Sequence, residues 1–188
     1  SIALSKFDCN IFLTDVLTKD RLIDKDKTYA ITHSTRKILS KFRLWKKLEP
    51  YLFGFDSLEI SDSVTSVLTK LTISDLDDDI RSVENIGWVI KHSDLMNVFF
   101  REMDNYDNIF FMTPQKLLDK KISFDYQFFS TGANSLDKKL FDFIDIKKSY
   151  NQSCLTFKVS LRGNCEKRAY EIFRKEGPLA LLPLEKNL

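Results

Sequence analysis

The chain of 188 residues is 43% hydrophobic and 13% aromatic, enough for a real core, and its 29 basic and 27 acidic groups leave a net charge of +2. That balance excludes a disordered chain and supplies no global field to recruit a nucleic acid. Sixteen Phe against five Gly and four Pro favour dense regular elements over loops and leave little material for a glycine-rich phosphate cradle.

In chain order, residues 2–6 read as the end of a helix and 9–15 as a short apolar strand closing on the carboxylate of Asp15. An acid at the end of the second strand of a βαβ unit is the group that binds ribose hydroxyls in dinucleotide sites. The companion glycines are missing, because Gly54, Gly87, Gly132, Gly163 and Gly177 lie too far apart to form G-x-G-x-x-G. Without them a strand-ending Asp is also an ordinary turn residue. Over 35–48, Ile38, Leu39, Phe42, Trp45 and Leu48 recur every three or four residues, Ser34 stands at the N-cap and Glu49-Pro50 forms a stop, which predicts one helix. Its other face carries Arg36, Lys37, Lys41, Arg43, Lys46 and Lys47 without an acid. That pattern suits a solvated face or a surface that meets phosphates or an anionic membrane.

Residues 57–62 and 64–73 read as strands, followed by an acidic turn over 74–79 that lacks the Gly and terminal Glu of an EF-hand loop. Residues 86–90 read as another strand, and Ser93-Asp94 as the cap of a helix that buries Leu95, Met96, Phe99, Phe100 and Met103. Strands are predicted over 108–112 and 124–130, the second ending at a turn over 131–135. Over 153–160, Leu155, Phe157 and Val159 alternate with polar neighbours as in a half-buried antiparallel strand, and 168–174 and 179–184 would continue that sheet.

Cys9, Cys154 and Cys165 are odd in number, widely spaced and accompanied by only two histidines, so no disulfide framework or zinc site is expected. Cys9 and Cys154 sit in apolar runs and read as buried small hydrophobes of a reducing cytoplasm. No run reaches the roughly 18 apolar residues of a membrane span, and residues 1–8 carry no signal-peptide pattern, which predicts a soluble, cytoplasmic or at most membrane-peripheral protein. His33 and His92 lack a nucleophile motif and read as capping or core residues; no catalytic residue is assigned.

Several blocks carry a family resemblance. Ala169-Tyr170-Glu171 followed by Gly177-Pro178-Leu179-Ala180-Leu181-Leu182-Pro183-Leu184 resembles the pattern A-Y-E-x-F-x-x-x-G-P-L-A-L-L-P-L, and Lys27 to Ser34 is similar to R-T-Y-A-L-S-x-S. Leu39 through Trp45 looks like L-x-x-L-G-L-W, Gly87-Trp88-Val89-Ile90 like G-Y-V-V, and Thr131-Gly132-Ala133-Asn134-Ser135 like D-G-A-N-S. On these blocks nearly the whole chain resembles the central part of the FAD-dependent aromatic-ring monooxygenases, of the ubiquinone-biosynthesis hydroxylase type.

The resemblance implies a mixed α/β (α+β) fold. Part of an FAD/NAD(P)-binding nucleotide domain, 1–54 and 91–150, would be interleaved with part of an antiparallel substrate-domain sheet, 55–90 and 151–188. It implies FAD as cofactor, NAD(P)H as reductant, O2 as oxidant and a prenylated aromatic ring as substrate, with peripheral membrane association suited to that substrate and no nucleic-acid partner. Asp15 would bind the ribose. Lys27 stands for an Arg that approaches the flavin nucleotide, keeping the charge and losing the bidentate fork. Thr131 replaces a cofactor-binding Asp, Gly132 remains where the backbone turns tightly, and Lys138 replaces a further Arg. Pro178 and Leu179 fall in the substrate-side block. His92-Ser93 stands where Asn-Arg is common in the family, and residues 113–123 are too few for its usual β-meander. Neither the glycine fingerprint nor the family's second Gly-Asp motif lies between Ser1 and Leu188, so this chain alone is expected to bind FAD weakly or not at all. The same departures describe a degenerate relative that keeps the fold and serves as a binding or interaction module.

Overall fold

The computed structural model describes residues 1–76, 84–130, 148–160 and 166–184. Residues 1–5 form a helical turn closed by Leu4 and Ser5 N–H bonds to the Ser1 carbonyl, in place of the expected helix end. Strand β1 (Ile11–Thr14) follows, then the five-residue helix α1 (Lys19–Ile23), whose N-cap Thr18 accepts from the Arg21 N–H. Strand β2 (Thr28–Ile31) leads into α2 (His33–Lys41) and the single turn α3 (Trp45–Leu48).

The predicted continuous helix over 35–48 is therefore broken, and its N-cap is Thr32 rather than Ser34. The break has a definite geometry. The Leu44 N–H bonds to the Leu39 carbonyl at 2.9 Å and the Arg43 N–H to the Ser40 carbonyl at 3.0 Å, with Arg43 at φ +57°. This is a Schellman stop, and the Leu39–Leu44 apolar pair that accompanies such a stop is buried in one cluster. The bend returns Trp45 and Leu48 to the core and leaves Ile38, expected on the apolar face, 55% exposed.

A 3-10 turn over Glu49–Tyr51 leads to β3 (Phe53–Phe55), β4 (Ser57–Asp62) and β5 (Leu68–Thr72). The strand expected from 64 begins at 68 because the Asp62 carboxylate accepts the Val64 and Thr65 N–H groups and Ser66 takes φ +58°, which makes 63–67 a loop. Those two N–H groups and the Thr65 hydroxyl hold the Asp62 carboxyl below its ordinary value. Of the acidic turn, 73–75 form a 3-10 turn and 77–79 lie outside the described residues. Strand β6 (Gly87–Lys91) runs into α4 (His92–Met103), which starts one residue before the expected Ser93-Asp94 cap and has no side-chain cap. Then come β7 (Ile109–Met112), α5 (Pro114–Asp119), β8 (Arg168–Phe173) and β9 (Leu179–Leu181).

Three sheets result, giving the mixed α and β class expected. β1 and β7 pair in parallel, Ile11 opposite Ile109, with α4 on the path between them as parallel strands require. β6 sits between β2 and β3, antiparallel to both. The four-stranded sheet has the order β5-β4-β8-β9. The sequence reading made this an antiparallel sheet, but its central β4–β8 pair is parallel, Leu58 opposite Ala169, with antiparallel hairpins on both sides.

α2, α3, α4 and β6 enclose Leu39, Leu48, Trp88, Ile90 and Val98, while α1, α4, β1 and β7 enclose Leu22, Phe100 and Met103. Phe55, Val89 and Ala169 join the three-stranded sheet to the four-stranded one. Glycine is needed at this joint, since a Cβ on Gly87 would lie 2.6 Å from Cζ of Phe55.

Two expected strands do not form. Residues 124–130 pair with no described strand; Phe124 meets Phe12 edge-on at 6.2 Å, and Tyr126 and Phe128 are exposed. Residues 153–160 are exposed throughout, held among the described residues by a Lys158–Asp26 ion pair. Alternation makes a strand only where a sheet edge accepts it, and no described edge does so here. Cys154 is accordingly an exposed thiol rather than a buried one, and Cys9, in the bend that precedes β1, is exposed as well.

Candidate functional site

Asp15 follows the last residue of β1 directly, at the carboxyl end of a parallel strand pair, where ligands of open α/β sheets bind. Its Oδ1 accepts the Leu17 N–H at 2.9 Å, which fixes the carboxylate in a local turn, and Oδ2 has no hydrogen-bond partner among the described residues. Ser1, Thr14 and Asp15 are the polar residues lining a hollow of about 400 Å³ whose apolar walls include Leu13, Leu22, Phe100, Met103 and Phe111. An acceptor oxygen held beside an apolar wall fits the donating hydroxyls of a nucleotide ribose.

Lys27 is exposed immediately before β2, and its carbonyl accepts the His92 N–H at 2.8 Å, which pins it beside the first residue of α4. Its ammonium has no partner among the described residues, so it is available to a phosphate, and it forms no bond with Asp15. Pro178 and Leu179 lie elsewhere, on the four-stranded sheet. Gly177 takes φ +132° in the turn that its N–H closes on the Arg174 carbonyl, Pro178 is exposed, and Leu179 starts β9 opposite Ile172. Thr131, Gly132 and Lys138 lie outside the described residues.

Three polar groupings are not evident from sequence. His92 is 7% exposed and joins three elements: Nε2 lies 2.6 Å from the Leu22 carbonyl and Nδ1 2.7 Å from the Tyr29 hydroxyl. A carbonyl only accepts, so Nε2 carries the proton and, in the neutral ring, Nδ1 accepts from Tyr29. This makes His92 a core histidine, one of the two roles read from sequence. His33 sets its Nε2 3.0 Å from the Asn85 carbonyl and its edge on Trp88, and the Arg36 guanidinium covers Trp45 and Trp88 at 5.4 and 5.6 Å. The third grouping is Arg168, bound by Glu59 at 2.6 Å and Glu166 at 2.8 Å beside a polar cleft of about 520 Å³. Its charge is consumed by those two carboxylates, so it ties β4 to β8 instead of presenting a cation. The sequence marks some of their members, the two histidines as capping or core residues and Tyr29, His33 and Trp88 within family-like blocks, but pairs none of them.

Among the described residues no helix is long and apolar enough to cross a membrane. No family model matches the chain. It is similar to the uncharacterized protein slr1300 of Synechocystis sp. (strain ATCC 27184 / PCC 6803 / Kazusa), 21% identical over 192 residues covering 93% of this chain and 45% of that protein. The chain thus spans less than half the length of the curated relative it matches.

Proposed function

We propose that the chain is the central portion of an FAD-dependent monooxygenase that hydroxylates a prenylated aromatic ring with NAD(P)H and O2. The observation that carries this reading is Asp15, a turn-anchored carboxylate with a spare acceptor oxygen at the carboxyl end of a parallel strand. The order of the family-like blocks supports it. Hydride acceptance and oxygen activation are what a bound flavin would supply. The residues here would bind and orient: Asp15 accepting from the ribose, and Lys27 facing a phosphate. Thr131 and Gly132 belong to the same proposed cofactor side, and Pro178 and Leu179 to the substrate side. The division into 1–54 with 91–150 and 55–90 with 151–188 is part of this reading.

The test uses the product of the whole reading frame. It is expected to oxidise NAD(P)H faster when a prenylated phenol is added, with one oxygen atom appearing on the ring by mass spectrometry. Residues 1–188 alone are expected to bind FAD more weakly than micromolar; sub-micromolar affinity in a fluorescence titration would contradict this division of labour. A second reading, a non-catalytic relative acting as a binding module, is favoured by the Thr131 and Lys27 replacements and predicts no nicotinamide oxidation by the full product.

A further inference from the structure

The outward face of α2 and the turn that follows it hold none of the residues assigned to the flavin or the substrate, and a membrane role for them would locate the peripheral association that the flavin reading only suggests. Between Arg36 and Leu48, Arg36 included, the sequence holds six lysines and arginines and no acid. The structure commits two of them internally, Arg36 to the indoles of Trp45 and Trp88 and Lys47 to the buried carboxylate of Glu102. Lys41, Arg43 and Lys46 remain exposed, with Lys37 on the same helical face as Lys41. At the centre of that face, one helical turn from Lys41, stands Ile38 with 55% of its surface in water. The 3-10 turn that continues α3 adds Tyr51, 42% exposed.

We propose that this α2–α3 surface docks on an anionic lipid bilayer, with Lys41, Arg43 and Lys46 meeting headgroup phosphates and Ile38 entering the acyl boundary. The charge is complementary, and the aliphatic side chain at its centre separates a bilayer from other polyanions. A phosphate-tracking groove gains nothing from an exposed Ile, whereas an interfacial helix face needs one. The aromatic residues between Arg36 and Leu48, Phe42 and Trp45, pack in or against the core cluster and offer no stacking platform for nucleobases. Tyr51 presents an amphipathic ring of the kind that sits at headgroup level. Each basic residue near an anionic leaflet raises partitioning about fivefold, so three or four of them give about 100- to 600-fold.

The test is co-sedimentation of the 188-residue chain with vesicles of phosphatidylcholine alone or mixed equally with phosphatidylglycerol. Binding is expected only to the mixed vesicles and to fade as salt rises from about 0.05 to 0.5 M. The triple variant Lys41→Gln/Arg43→Gln/Lys46→Gln should lose most of it. Lys116→Gln/Lys120→Gln/Lys121→Gln, with the same change in net charge on exposed residues around α5, should keep it. Ile38→Ser should weaken vesicle binding several-fold. Equal losses from the two triple variants would overturn the proposal. So would binding to a duplex oligonucleotide as tight as to vesicles and unaffected by Ile38→Ser, or binding to phosphatidylcholine alone.

Discussion

His92→Phe is expected to lower stability by about 1.5–4 kcal/mol. The substitution keeps a ring of similar size in the same packing and removes both polar contacts. The Leu22 carbonyl belongs to the last turn of α1, a five-residue helix whose terminal carbonyls have no partner within the helix. His92 Nε2 satisfies it at 2.6 Å, and Leu22 is 8% exposed, so water does not readily replace that donor. An orphaned buried carbonyl costs roughly 1–3 kcal/mol. The Tyr29 hydroxyl also loses its acceptor, but Tyr29 is 37% exposed and can turn to solvent, which limits that part to about 0.5–1 kcal/mol. For a chain of this size the sum corresponds to a fall in Tm of about 3–16 °C. Urea denaturation gives the free energy, and Tyr29→Phe serves as the partner variant, expected to cost only the smaller share. A His92→Phe protein within about 0.5 kcal/mol of the parent, with an unchanged denaturant slope, would refute the reasoning, because that is the range of an inert surface change.

Gly87→Ala should cost about 1–3 kcal/mol through its clash with the Phe55 ring, and Phe55→Leu made in the same chain should recover part of it in urea melts. Arg43→Gly should stabilise by about 0.5–1 kcal/mol in the same melts, since a side chain at φ +57° is strained and glycine is not. Glu102 yields a pH prediction. Burial pushes its carboxyl up, but Lys47, Asn105 and Tyr106 together outweigh burial and hold it below its ordinary value. A carboxyl depressed in the folded state stabilises above its ordinary value of about 4.5 and loses that contribution as pH falls through the folded value. The deficit of Glu102→Gln relative to the parent, from urea melts, should therefore be largest near neutrality and shrink toward about pH 3.

Much of the local structure was legible because it follows from short-range pattern. β4 has the predicted bounds, β6 and β8 fall within a residue of theirs, and α4 buries or half-buries the predicted apolar stripe. The failure at 35–48 was a failure of turn chemistry. Apolar periodicity runs through Phe42 and Arg43, and no glycine marks the left-handed residue that ends α2. The L-x-x-L-G-L-W pattern has Gly at the position where this chain has Arg43. At 64–67 the local bonding of Asp62 to the Val64 and Thr65 N–H groups outweighed β propensity. The strands expected at 124–130 and 153–160 failed for a long-range reason, since alternation says nothing about whether an edge is on offer. At the candidate site the Asp15 position was readable as a strand end, whereas the spare Oδ2 and the adjoining hollow depend on α1, α4 and β7 converging from distant parts of the chain. The Tyr29–His92–Leu22 linkage spans 70 residues, and no pattern in the sequence pairs its three members.

The central claim is that Asp15 serves a flavin nucleotide, and flavin retention by the product of the whole reading frame tests it most directly. The account predicts a yellow protein with one flavin per chain, and a roughly 10- to 100-fold loss of affinity in Asp15→Ala, the effect of removing one charge-assisted acceptor. A colourless full-length protein, or flavin affinity indifferent to Asp15→Ala, would contradict it.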